Sequence, residues 1–194
     1  MARHDRSLDA AYFENMFRGD QDPWDLETSA YEAAKFDSTI AALEGRLYNR
    51  VFEIGCAGGT LTRKLAPATA DLLAVDISAT ALARARRRCG DLPQVRFAEM
   101  AFPKETPHGS FDLIVLSEVA YYWDRADLAL AASRLEQLLE PEGNLLLVHF
   151  TGETDYPTSG NDAVEALALA LGCQMEVIRA ETHDRYRLDL WRRR

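Results

Sequence analysis

The sequence is poor in the residues that build metal sites and disulfide frameworks. It has three cysteines, Cys56, Cys89 and Cys173, and no Cys-x-x-Cys. An odd number of scattered thiols excludes a disulfide framework and argues for reduced, buried thiols. The four histidines, His4, His108, His149 and His183, show no ligand spacing, so no metal is expected. No apolar run approaches the roughly 20 residues of a membrane span, and no membrane partner is expected. The opening residues Met1 to Arg6 lack the apolar core of a signal peptide, which points to the cytoplasm. Basic residues are scarce: 22 Lys and Arg stand against 31 Asp and Glu, for a net charge of −9. A broad nucleic-acid surface needs a basic stripe, so a nucleic-acid partner is not expected either.

What the chain does have is one small-residue turn set between a strand and a helix. Val51-Phe-Glu-Ile54 reads as a short buried strand, Gly55 to Gly59 as a tight turn, and Thr60 to Leu65 as a helix. That unit lets backbone approach a nucleotide closely and aims helix amides at it. Glu53 lies two positions before the first glycine. Asp76 closes the next apolar run, Leu72 to Ile77, 23 residues after Glu53. A carboxylate at that spacing is placed to accept both hydroxyls of a ribose. No Gly-Lys-Ser/Thr follows the turn, so it is not a P-loop. A nicotinamide fingerprint would need glycines where Ala57 and Thr60 stand.

The rest of the chain alternates in the same sense. Residues 1–45 read as two helices with no strand between them: an apolar stripe ending at Gly19-Asp20, then a helix from about Ala30 to Leu43 capped from Glu27-Thr28-Ser29. Strands are expected near 50–54, 71–76, 94–98, 111–117 and 144–150. Helices are expected near 60–66, from Ser78 through Arg88, and over 125–139, stopping at Glu140-Pro-Glu-Gly143. Asn161 or Asp162 is expected to cap a helix to Leu171. A final pair of strands, 175–180 and 186–191, must contain an antiparallel member. Near-continuous apolar strands separated by helices mean a mostly parallel sheet covered on both faces. At 194 residues the expectation is one domain, with 1–45 a helical lid and 46–194 the α/β core.

The pattern Glu-x-Gly-x-(Ala/Gly)-x-Gly, with Asp at the next strand end, resembles the cofactor site of class I S-adenosylmethionine (SAM) methyltransferases. The resemblance implies a Rossmann-like sheet of seven strands, mostly parallel with the seventh antiparallel. SAM is then the methyl donor and S-adenosylhomocysteine the product. It carries roles onto particular positions: Glu53, Gly55, Cys56, Ala57 and Gly59 around the methionine part, Asp76 and Ile77 at the ribose and adenine, and Glu99 and Met100 at the adenine edge and face. Ser117-Glu118 occupies the fourth motif, with Tyr121, Tyr122 and Trp123 behind it.

A second resemblance is more specific. Asp22-Pro-Trp before Tyr31-Glu32, then Glu-Ile-Gly-Cys-Ala, then Glu118-Val-Ala-Tyr-Tyr122, is similar to the nodulation protein S group. Those enzymes N-methylate the free amine of a chitin oligosaccharide. It places Trp24 and Tyr31 over the cofactor or along the acceptor cleft. The implied acceptor is a small molecule or an oligosaccharide, methylated on nitrogen or oxygen. Glu118 and Tyr121 are the polar and aromatic catalytic candidates, and His149, at the end of the fifth strand, is the candidate base. Thr151 to Gly160 is a long polar loop suited to specificity, with Asp155 and Tyr156 as contacts. Arg84, Arg86, Arg87 and Arg88 on one helix, and Arg192 to Arg194, read as solvated charge. The other readings are a SAM-binding module without catalysis and a nucleotide-dependent oxidoreductase, the latter opposed by the failed glycine pattern. The residues do not specify an oligomeric state.

Overall fold

The strands belong to one seven-stranded mixed sheet. The computed structural model describes residues 3–194, in two compact units: Asp9–Met100, and the residues up to Leu8 together with Ala101–Arg194.

The unit spanning Asp9–Met100 holds α1 (Ala10–Gly19), α2 (Ala30–Ala41), β1 (Tyr48–Ile54), α3 (Thr60–Leu65), β2 (Thr69–Asp76), α4 (Ala79–Arg88) and β3 (Val95–Glu99). The last four residues of β1 and the last five of β2 are all buried, as parallel strands covered on both faces require. β1 runs parallel to β2, and β2 to β3; the register brings Asp76 beside Glu99. Side-chain oxygens cap the helices where local chemistry predicts: Asp9 takes the Tyr12 amide, Ser29 the Glu32 amide and Ser78 the Ala81 amide.

The other unit holds β4 (Phe111–Ser117), α5 (Arg125–Leu138), β5 (Leu139–Phe150), α6 (Gly160–Leu171), β6 (Met175–Thr182) and β7 (Tyr186–Arg193). β4 and β5 are parallel, while β7 runs antiparallel to both β5 and β6. Residues 143–149 of β5 are buried without interruption. Within this unit the N-terminal segment is tied down by backbone: the His4 amide donates to the Asp155 carbonyl at 2.8 Å and the Leu8 amide to the Tyr122 carbonyl at 3.0 Å.

Three local expectations change. The helix after β5 is capped by Ser159, whose Oγ takes the Asp162 amide at 3.1 Å, and not by Asn161 or Asp162. Ser159 keeps extended backbone while Gly160 already turns helical, so the cap falls earlier than the polar pair suggested. Glu140 to Gly143 does not break the chain between helix and strand but forms the first part of β5. Glu142 adopts a positive φ there, and the β4–β5 register shifts between Phe111 and Leu113, so an irregularity absorbs Pro141. The arginines of α4 are not simply solvated. Arg84 donates to the carbonyls of Phe17, Asp20 and Gln21 at the C-terminal end of α1, and Arg88 donates to the Gly58 carbonyl.

Candidate functional site

The turn after β1 is built from positive-φ residues. Gly55, Ala57 and Gly59 have φ of 76°, 47° and 82°. Gly59 is fixed twice over: its φ suits glycine, and a Cβ there would lie 3.0 Å from Ala85 Cα and Cβ. Ala57 has no such freedom. Its left-handed backbone is strained for a residue with a Cβ, and a hydrogen bond holds it there: the Ala57 amide donates to Asp76 Oδ2 at 2.9 Å. The amides of Gly55 and Cys56 both turn back onto the Val75 carbonyl at the end of β2. Cys56 is buried, and burial pushes its thiol well above the ordinary range, so it packs as a neutral thiol.

Two buried carboxyls flank the turn. Glu53 is 2 % exposed, and its Oε2 has no hydrogen-bond partner. Burial pushes its carboxyl up to about 7, and Asp76 adds a like-charge push. Asp76 is oriented through both oxygens: Oδ2 takes the Ala57 amide and Oδ1 the Ser78 amide at 2.8 Å. Burial raises it to about 6 against the lowering effect of these amides. Ile77, beside it, is half-buried. Glu99 is exposed at the end of β3, and Met100 is half-buried, its amide bonded to the Asp76 carbonyl at 3.0 Å.

The segment before α2 closes on the same turn. Glu27 forms an ion pair with Arg88, whose Nε donates to the Gly58 carbonyl at 2.9 Å. Trp24 is half-buried and meets Phe17 edge-on at 5.4 Å. Tyr31 is half-buried with the Lys35 ammonium 5.5 Å from its ring centre, and Lys35, itself buried, pairs with Glu32 at 2.7 Å. Sequence reasoning missed Glu27 and Arg88 as neighbours of the turn. Neither lies within a motif, and only their meeting with Gly58 gives them meaning.

At the carboxyl ends of β4 and β5, Glu118 is the centre of a second cluster. Its φ of 59° is unusual for glutamate and marks a backbone held against its preference. The Glu118 amide donates to the Val148 carbonyl at 2.8 Å. Its Oε2 accepts the Tyr121 hydroxyl at 2.7 Å and the Phe150 amide at 2.8 Å. Burial, with Glu118 adding to it, holds the Tyr121 phenol well above its ordinary range, so it stays protonated and donates to Glu118. Tyr156, from the loop after β5, stacks on Tyr121 at 5.3 Å and meets Tyr122 edge-on at 4.7 Å. Ser117 is half-buried at the end of β4, in register with Val148.

His149 lies at the end of β5. The ring is fully buried, and its Nε2 accepts the Ala120 amide at 3.2 Å. That bond holds the turn that carries Tyr121, whose ring meets the imidazole edge-on at 5.7 Å. A histidine at a strand end carries no sequence signal for which of its faces is covered.

Among the described residues, no helix is long and apolar enough to cross a membrane, and no group of His, Cys, Asp or Glu could hold a metal ion. The sequence profile of the family described as nodulation protein S (NodS) matches residues 15–154, more than half of the chain. The chain belongs to the nodulation protein S family. A nodulation protein S from Sinorhizobium fredii strain NGR234 is 32% identical over 129 residues, which cover 65% of this chain and 59% of that protein. The match thus spans about three-fifths of that relative's length. A candidate methyltransferase of known structure from Pseudomonas syringae is 35% identical, covers 85% of this chain and all of that one, and superposes with a TM-score of 0.74. The crystal structure of the N-methyltransferase NodS from Bradyrhizobium japonicum WM9, in complex with S-adenosylhomocysteine, superposes with a TM-score of 0.83. It covers 96% of this chain and 99% of that one, and its 21% identity speaks for the shared fold. Within the NodS family match lie the glycine turn, Asp76 and Glu118; α6, β6 and β7 lie beyond it.

Proposed function

We propose that this chain is a SAM-dependent methyltransferase that transfers a methyl group in line to a nitrogen or oxygen of a small-molecule or sugar-derived acceptor. The observation that carries this reading is the paired-carboxyl turn: Asp76 held through both oxygens, and Glu53 buried with one oxygen unpartnered. These residues suit SAM chemically. Asp76 keeps lone pairs for ribose hydroxyls. Glu53 offers a buried acceptor where an amino-acid ammonium is the complementary group. Gly55 to Gly59 keep side chains clear of a methionine moiety. Membership of the NodS family and the fold shared with a SAH-bound N-methyltransferase support the same reading.

When bound, SAM supplies a methyl group on a sulfonium that is already an activated leaving group. The chain's own task is orientation, which contributes roughly 7–11 kcal/mol in well-aligned reactions. Asp76, Glu53 and the glycine turn bind and hold. Glu118 is the polar group we assign to the acceptor: its carboxylate is fixed by Tyr121 and the Phe150 amide, and it is suited to hold an ammonium or receive its proton. We assign His149 to holding the Ala120 turn, not to proton transfer. An amine, and an amino sugar first, is therefore the acceptor class to test.

Calorimetric titration with S-adenosylhomocysteine tests the cofactor assignment. Micromolar binding that Asp76→Ala abolishes is expected; no binding by the intact protein overturns the reading. Incubation with SAM and glucosamine oligomers, followed by mass spectrometry, tests the acceptor class.

A further inference from the structure

A carboxylate from α1 reaches the residues that follow β2. Glu14 accepts the Ser78 hydroxyl at 2.7 Å, the Thr80 hydroxyl at 2.6 Å and the Thr80 amide at 3.1 Å. Arg18 pairs with it at 2.9 Å from its own helix. The Thr80 and Ser78 hydroxyls are the chief reason its carboxyl lies near 2, so Glu14 stays charged at any working pH.

Ser78 is fully buried, and each of its polar groups is spoken for. Its hydroxyl donates to Glu14, its Oγ accepts the Ala81 amide at 3.1 Å, and its amide donates to Asp76 Oδ1. One serine thus stands between two carboxylates. Capping α4 does not require Glu14, because Ser78 already satisfies the Ala81 amide. A second negative charge also disfavours ionised Asp76, and Glu14 does raise it. The Glu14 bond and the Ala81 cap hold Ser78 by its side chain at the place where its amide meets Asp76 Oδ1.

We propose that Glu14 is a positioning residue for the cofactor ribose, acting through Ser78 to fix the carboxylate of Asp76 in the orientation that receives both ribose hydroxyls. This rests on the assignment of Asp76 to the ribose. Glu14 lies on α1, 64 residues before Ser78 in the chain.

The test is a calorimetric cycle on the full chain with two probes: S-adenosylhomocysteine, and its analogue lacking both ribose hydroxyls. Glu14→Ala is expected to weaken S-adenosylhomocysteine roughly tenfold, the scale of one charge-assisted hydrogen bond, and to leave the dideoxy analogue nearly unchanged. Glu14→Gln, which keeps an acceptor for one hydroxyl, is expected to lose less, and it serves as the working variant if Glu14→Ala does not fold. Turnover should show a raised KM for SAM with kcat retained. An equal loss for both probes would reduce Glu14 to a stitch between helices and overturn the proposal, as would no loss for either. If the wild-type chain binds neither probe, the cofactor assignment fails and takes this inference with it. If it binds both equally, Asp76 does not read the ribose hydroxyls.

Discussion

The Ala57 amide donates to Asp76 Oδ2 at 2.9 Å, joining the glycine turn after β1 to the carboxylate at the end of β2. The bond needs Ala57 at a φ of 47°, a conformation that costs a residue with a Cβ about 1 kcal/mol or more. The turn therefore stores strain at the position where its amide is most useful.

Relieving that strain should show as stability. Ala57→Gly is expected to raise the unfolding free energy by up to about 1 kcal/mol. Removal of the Cβ penalty outweighs the extra freedom glycine brings to the unfolded chain. Thermal unfolding checks this, and S-adenosylhomocysteine affinity should be kept. A lower melting temperature would show that the turn is not strained.

Glu53 makes apo stability depend on pH. Its folded carboxyl sits near 7, above the ordinary 4.5, because burial disfavours the charge. The folded state therefore holds this proton more tightly than the unfolded chain. Its contribution to stability falls as pH rises from about 4.5 to 7, and Asp76, raised to about 6, adds in the same sense. Glu53→Gln should flatten that decline and raise apo stability at pH 8 by on the order of 1–3 kcal/mol, while weakening S-adenosylhomocysteine binding. Denaturant titrations at pH 5 and pH 8 measure it; the same slope with pH in both proteins would refute it.

Glu118 and Tyr121 should govern turnover and not cofactor affinity. Glu118→Ala is expected to lower kcat about a hundredfold or more. Tyr121→Phe removes one of the two donors that orient the carboxylate and should cost roughly tenfold. Both should bind S-adenosylhomocysteine as the wild type does. A large loss of cofactor affinity in either variant would move Glu118 from acceptor to cofactor.

His149 separates a base from a structural acceptor. His149→Leu leaves the Ala120 amide buried without its partner and is expected to cost about 1–3 kcal/mol of stability. His149→Gln, able to accept that amide, should recover much of the stability and most of kcat, and its pH–rate profile should match the wild type. Loss of a limb near neutral pH in His149→Gln would make the imidazole the base after all.

Arg84 ties down the C-terminal end of α1 through three backbone carbonyls. Arg84→Met keeps the aliphatic stem and removes the donors, so a loss of about 1 kcal/mol is expected in thermal unfolding. A variant as stable as the wild type would return Arg84 to the solvated face.

The motif residues were legible because their signals are local. Val51 to Ile54 and Leu72 to Val75 are apolar runs that only a doubly covered strand can use. Glycines at 55 and 59 announce positive φ, and Asp76 follows its strand directly. Ser29 and Ser78 cap helices through amides three residues away. At the start of α6 the expected cap, Asn161 or Asp162, gives way to Ser159, because several polar residues stand there and each can turn the chain. The arginines of α4 read as solvated because charge on a helix face is usually so; nothing nearby in the sequence says that α1 ends beside Arg84.

The sequence by itself determined the order of strands and helices, the glycine turn, and the carboxylates that bracket it. Hydrophobic periodicity and backbone preference act over a few residues and can be read there. Only the tertiary structure decided that Glu14 reaches Ser78, that Arg88 holds the Gly58 carbonyl, and that His149 is sealed with its Nε2 engaged. Those pairings join residues roughly 30 to 60 apart in the chain, and whether a polar side chain meets water, substrate or another side chain is set by which distant segment packs against it.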